Sequence, residues 1–118
     1  MSTCRFGVEH RLRSGVDYAA VFSQRRVIRG EWFWLHFRPG SEGSVRLGLQ
    51  VAKKHARRAV HRNLIKRIAR ETFRQIRAGL PAADLVLRLA RPLSGAVDGE
   101  RRRAWATEIA ALMGRLPR

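Results

Sequence analysis

Between residues 45 and 51, apolar Val45, Leu47, Leu49 and Val51 interleave with Arg46, Gly48 and Gln50. A period of two is that of a strand with one face buried. Trp32 to Phe37 is dense in aromatics and also reads as a strand. The Pro-Gly-rich loop 39–43 between the two predicts an antiparallel hairpin. Asp84 to Ala90 predicts a further strand. Three stretches carry the longer, helical period. Ser14 to Gln24 predicts a short first helix, with Ser14 and Asp17 at capping-box spacing and Tyr18 and Phe22 on one face. Glu100 to Met113 predicts a last helix whose inner face is Trp105, Ile109, Leu112 and Met113.

The longest helix is predicted over about Arg57 to Arg77, ending at Gly79 and Pro81. No Ser, Thr, Asp or Asn stands at a good N-cap for it. At roughly 100° per residue, Leu64, Ile65, Ile68, Ala69 and Ile76 share one side. Asn63, Lys66, Arg67, Arg70, Arg74 and Arg77 share another arc, with Arg62 at its border. One stripe packs and the other faces outward. No repeat, low-complexity tract or linker divides the chain, so a single domain over 1–118 is expected.

Charge sharpens this picture. Of 25 cations, 22 are Arg and three are Lys, against nine acids, for a formal net charge of +16. From Lys53 to Arg77 there are ten Lys or Arg and one acid, Glu71. Like charges four apart, such as Lys66–Arg70 and Arg70–Arg74, destabilise an isolated helix, so an outside polyanion is expected to offset them. Nucleic acid is the commonest such partner and an anionic membrane surface the rival. A disordered tail would not keep an apolar stripe. A membrane-active helix would keep one, but this helix lies between strand-like segments that its stripe can cover.

Chemistry of its own is scarce. The acids are scattered, and His10, His36, His55 and His61 make no ligand pattern. Nucleophile motifs are absent, so no protein catalytic site and no protein-bound metal are expected. Cys4 is the single cysteine, which points to a reducing cytoplasm. No signal-like stretch stands at the N-terminus, and the run Leu85–Ala90 is too short for a bilayer and broken by Arg88. The pair Tyr18 and Phe22 has two readings: core packing, or a stacking platform for unpaired bases.

The ordered set "RLGLQVAKKHARRAVHRNLIKRIARETFR", with "RLRSGVDYAAVF" before it and "LPAADLVLRLARP" after it, resembles the protein subunit of bacterial ribonuclease P. The resemblance runs from about Phe6 to Pro92, and the last helix matches by position and type. It implies an α+β fold, an α/β sandwich in the order α-β-β-β-α-β-α. That fold has a central four-stranded sheet and a left-handed βαβ crossover, and is ribosomal-protein-S5-domain-2-like. The patterning above supplies one strand fewer before the long helix.

The resemblance also implies an RNA-binding subunit of a cytoplasmic ribonucleoprotein. Its partners are the catalytic RNA subunit and precursor tRNA, with no membrane and no obligatory protein partner. Magnesium, held mainly by the RNA, serves removal of the 5′ leader. By position, Arg62, Asn63, Lys66, Arg67 and Arg70 face the catalytic RNA. Tyr18, Phe22, His36, Lys53 and Lys54 belong to the leader cleft, between the first helix and a sheet face. The chain departs from the family at Leu64, where the motif Arg-Asn-Arg reads Arg62-Asn63-Leu64. Three other readings stand beside this one: a ribosomal-type RNA-binding protein, a DNA-binding module and a stand-alone nuclease.

Overall fold

A computed structural model describes residues 15–40 and 44–117, with side chains from Tyr18 onward. Ser14, the side chain of Asp17, Cys4 and His10 lie outside the described residues. The elements are α1 (Gly15–Ser23), β1 (Val27–Arg29), β2 (Phe33–Pro39), β3 (Val45–Gln50), α2 (Ala59–Ile76), β4 (Ala83–Leu89) and α3 (Gly99–Gly114). A 3₁₀ turn, Arg77–Gly79, extends α2. This is the order α-β-β-β-α-β-α. The strand that patterning missed is β1, whose three residues are too few to display a period.

The four strands form one sheet in the order β1-β2-β4-β3. The expected pairing of β2 with β3 is corrected here. Strand β4 lies between them, antiparallel to β2 and parallel to β3. The hairpin is instead β1–β2, with Ile28 opposite Leu35. The physical reason is the crossover: β3 runs into α2, and α2 returns the chain as β4, whose apolar run suits a central strand. Six of its seven residues are buried.

The core lies on one sheet face. Phe33, Leu35 and Phe37 from β2 and Leu85, Leu87 and Leu89 from β4 point into it. Two helices cover them. From α2 come Ile65, Ala69 and Phe73, with Leu64, Ile68 and Ile76 partly buried at the margin. Phe73 is fully buried and belongs to the packing stripe, although the wheel grouping left it out. From α3 come Trp105, Ile109, Leu112 and Met113, as its inner-face pattern predicts. At the start of α2, Arg58 is the N-cap and makes no side-chain cap bond. By contrast, α3 begins at Asp98, whose carboxylate accepts from Arg101 N–H at 2.8 Å.

Glu108 fastens α3 to the sheet. Its carboxylate accepts from the backbone N–H of Trp32 at 2.9 Å and of Phe33 at 2.7 Å. Burial raises its pKa, against the pull of those two donors. Trp32 lies just before β2 with Arg91 and Arg101 over its ring, at 4.1 and 4.5 Å from the centroid. Among the described residues, no helix is long and apolar enough to cross a membrane.

Candidate nucleic-acid interface

The second sheet face carries the chemistry. Its side chains fall into cross-strand rows fixed by the register. The middle row is Val27, His36, Val86 and Gly48. Helix α1 packs over this row, with Val21 fully buried on Val86 and with Tyr18 and Phe22 partly buried beside them. The Phe22 and His36 rings meet edge to face, centroids 4.7 Å apart. Tyr18 Oη accepts from Leu49 N–H at 3.1 Å. Tyr18 and Phe22 each pack on the sheet with part of their surface and leave the rest exposed to solvent.

His36 is the third member of this group, on the sheet face that α1 covers. Its Nε2 is buried without a hydrogen-bond partner. Burial, then the charges of Arg88 and Arg29, hold its pKa below the ordinary histidine value.

The two flanking rows differ in character. On one side stand Arg38, Asp84 and Arg46. Asp84 is 2% exposed and takes Arg46 Nε at 2.8 Å and Arg38 Nη2 at 2.8 Å. Burial pushes its carboxyl up, but hydrogen bonds and charge from Arg46 and Arg38 outweigh that and hold the pKa low. On the other side stand Arg29, Trp34, Arg88 and Gln50. Two guanidiniums lie over the half-buried Trp34 ring, Arg29 at 4.8 Å and Arg88 at 5.0 Å from its centroid. Sequence reading passed over this trio, because only the register of three strands brings it together.

Lys53 and Lys54 are exposed on the turn after β3. Lys54 lines a depression of about 550 Å³ with His55, Arg57, Arg58 and His61 at the start of α2, opposite the loop after β4. So Tyr18, Phe22 and His36 form one cluster, while Lys54 faces the start of α2 instead.

The basic arc of α2 lies beyond the core, away from α1. Asn63, Arg67 and Arg70 are exposed and Lys66 is half-buried. Arg62 is engaged otherwise: its Nη1 donates to the carbonyls of Ala56 and Arg57, both at 2.9 Å. These bonds brace the uncapped start of the helix, and three of the five guanidinium N–H groups remain. The single acid of the arc, Glu71, is paired with Arg74. Leu64 turns toward the core, as the wheel predicts. A depression of about 570 Å³ beside it is lined by Val60, Asn63, Leu64, Arg67 and Arg102. Helix α3 thus brings Arg102 next to the position where the motif lacks a cation. Heptad position in α2 alone gave no sign of this.

Four of the described carboxylates are engaged within the protein. Asp84 is held by two arginines, Glu108 by two backbone donors, Glu71 by Arg74, and Asp98 by a helix N-terminus. Among the described residues, no three His, Cys, Asp or Glu side chains gather as a metal would need.

The fold and the sequence both have counterparts. The chain superposes on the ribonuclease P protein of Thermotoga maritima with a TM-score of 0.78 at 28% identity, covering 92% of this chain and 98% of that one. The ribonuclease P protein component of Azoarcus sp. (strain BH72) is 48% identical over 113 residues, 96% of this chain and 91% of the relative. That of Chromobacterium violaceum is 39% identical over 118 residues, 100% of this chain and 94% of the relative. The sequence profile of the Ribonuclease P family matches residues 6–115. With that profile spanning nearly all of α1 through α3, the chain belongs to the ribonuclease P protein family and is a subunit of a tRNA-processing endoribonuclease.

Proposed function

We propose that this protein binds the unpaired 5′ leader of precursor tRNA on the α1 side of its sheet and the catalytic RNA on the α2 side. Hydrolysis then belongs to the RNA subunit and its magnesium ions. The observation that carries this reading is the distribution of charge and carboxylate. Both surfaces present cations, half-buried aromatics stand on one of them, and the carboxylates nearby are already engaged. Such a surface suits a polyanion.

Tyr18, Phe22 and His36 would take leader bases by stacking, which tolerates any sequence because every base has a π-face. Asn63, Lys66, Arg67 and Arg70, with the remaining donors of Arg62, would take phosphates of the catalytic RNA. Lys53 and Lys54 would meet the strand where it leaves the cleft. The protein is expected to work in the cytoplasm, where tRNA is made.

The test is cleavage of a 5′-extended precursor tRNA at low magnesium. Protein alone, a bacterial ribonuclease P RNA alone, and the two together are compared. Efficient cleavage only by the pair is expected. Cleavage by the protein alone would overturn the division of labour. Binding of the RNA without any stimulation would favour a ribosomal-type protein.

A further inference from the structure

We infer that Arg29 and Arg88, seated on Trp34, form a phosphate clamp that extends the leader cleft by one step past Phe22 and His36. The inference rests on the leader reading above and assigns it a site that patterning did not suggest. Three observations support it. First, the clamp lies on the same sheet face as Phe22 and His36, in the adjacent row. Same-face rows are about 6.7 Å apart along a strand, so a chain crossing one row reaches the next.

Second, the two cations have no counter-ion. Among the described residues, no carboxylate pairs with Arg29 or Arg88, whereas the row on the far side of His36 has Asp84 between its arginines. Arg88 also has its Nε buried without an acceptor. A buried donor left unsatisfied costs free energy, and a phosphate oxygen reaching Arg88 supplies the acceptor. Third, both guanidiniums lie over the Trp34 ring, at 4.8 and 5.0 Å from its centroid. Two flexible side chains are thereby ordered before a ligand arrives, which lowers the entropy cost of binding.

The ligand is a phosphodiester group, and two RNAs could supply one: the leader and the catalytic RNA. Continuity with the Phe22–His36 row assigns it to the leader. The experiment uses the holoenzyme reconstituted with a bacterial ribonuclease P RNA. Precursor tRNAs carry a single neutral methylphosphonate at successive leader linkages. With the wild-type protein, one linkage should cost about tenfold in affinity, as loss of charge-assisted hydrogen bonds predicts. In Arg29→Gln/Arg88→Gln, affinity for the unmodified substrate should fall by a similar factor and that linkage should cease to matter. The salt slope should shrink by about 0.7, the loss of one single-strand phosphate contact.

If no single linkage stands out with the wild-type protein, the clamp is refuted even should the variant fail to fold. If the variant, with an unchanged melting temperature, keeps wild-type affinity and slope, the clamp is refuted too. Weakened assembly with the catalytic RNA, leader sensitivity being retained, overturns the leader assignment. If the wild-type holoenzyme binds leader-bearing and leaderless tRNA equally, the leader reading itself falls.

Discussion

Replacing Gly48 by alanine puts a methyl group where the Tyr18 ring already stands. A Cβ on Gly48 would lie 2.6 Å from Tyr18 Oη, 2.7 Å from Cζ and 2.9 Å from Cε1. Ordinary carbon contacts need about 3.5–4.0 Å, so the ring must withdraw by about 1 Å. Overpacking of this kind costs about 1–3 kcal/mol. Withdrawal also breaks the Leu49 N–H bond to Tyr18 Oη, worth about 1 kcal/mol net. Alanine in place of a strand glycine returns roughly 0.5–1 kcal/mol. Gly48→Ala is therefore expected to destabilise the protein by about 2 kcal/mol. It should also weaken leader binding by the holoenzyme. Assembly with the catalytic RNA should not change, because α2 packs on the other side of the sheet.

A double-mutant cycle isolates the cause. With Tyr18→Ala the obstruction is gone, and Gly48→Ala should then return the roughly 0.5–1 kcal/mol of a strand glycine. Urea titrations of the four proteins should show a coupling of about 3 kcal/mol. Additivity within about 0.5 kcal/mol would mean that the ring does not oppose the new methyl, and the geometry described for the cleft would be wrong.

Arg67→Ala should lower RNA affinity and reduce the salt slope by about 0.7–0.9, the loss of one phosphate contact. Ile65→Ala, emptying a site 1% exposed, should instead cost about 2–5 kcal/mol of stability without altering the slope. Anisotropy titrations at several salt concentrations and urea melts separate the two. Asp84→Asn should cost about 2–4 kcal/mol at pH 7, since two half-wet arginines lose a buried partner. The pKa of Asp84 is lowered in the fold, so its contribution is full above the unfolded value, about 3.9, and is lost as pH falls through the folded value. Urea midpoints of wild type and variant should hence converge at acid pH. Arg102→Ala should weaken binding of the catalytic RNA, and adding Leu64→Arg should restore it, as nitrocellulose filter binding would register.

How much the chain's own pattern discloses depends on the range of the interaction. Helices α2 and α3 were legible because Ile65, Ala69, Trp105 and Ile109 repeat at a local period. Tyr18 and Phe22 shared a face for the same reason. The pairing of β2 with β3 was misjudged because a Pro-Gly loop is a local cue, whereas β4 claims its place through contacts far along the chain. Strand β1 is too short to show a period, and it is held by pairing with β2. The site divides along the same line. Residues of the α2 arc follow from helix geometry and from motif resemblance. Arg29, Trp34 and Arg88 come from three strands, and Arg102 from a fourth element. Their proximity exists only in the folded register.

Strand β4 stands at the centre of the sheet yet is the last strand in the chain. During synthesis, β2 and β3 emerge first, and neither pairs with the other. Each leaves an open edge until α2 and then β4 have been made, at roughly 5–20 residues per second. Closing the sheet requires contacts across the whole crossover, which slows folding, and open edges are templates for aggregation. Here the excess of arginine has a second consequence. Nascent chains with this much positive charge repel one another, so the charge that draws RNA also keeps unfinished sheets apart.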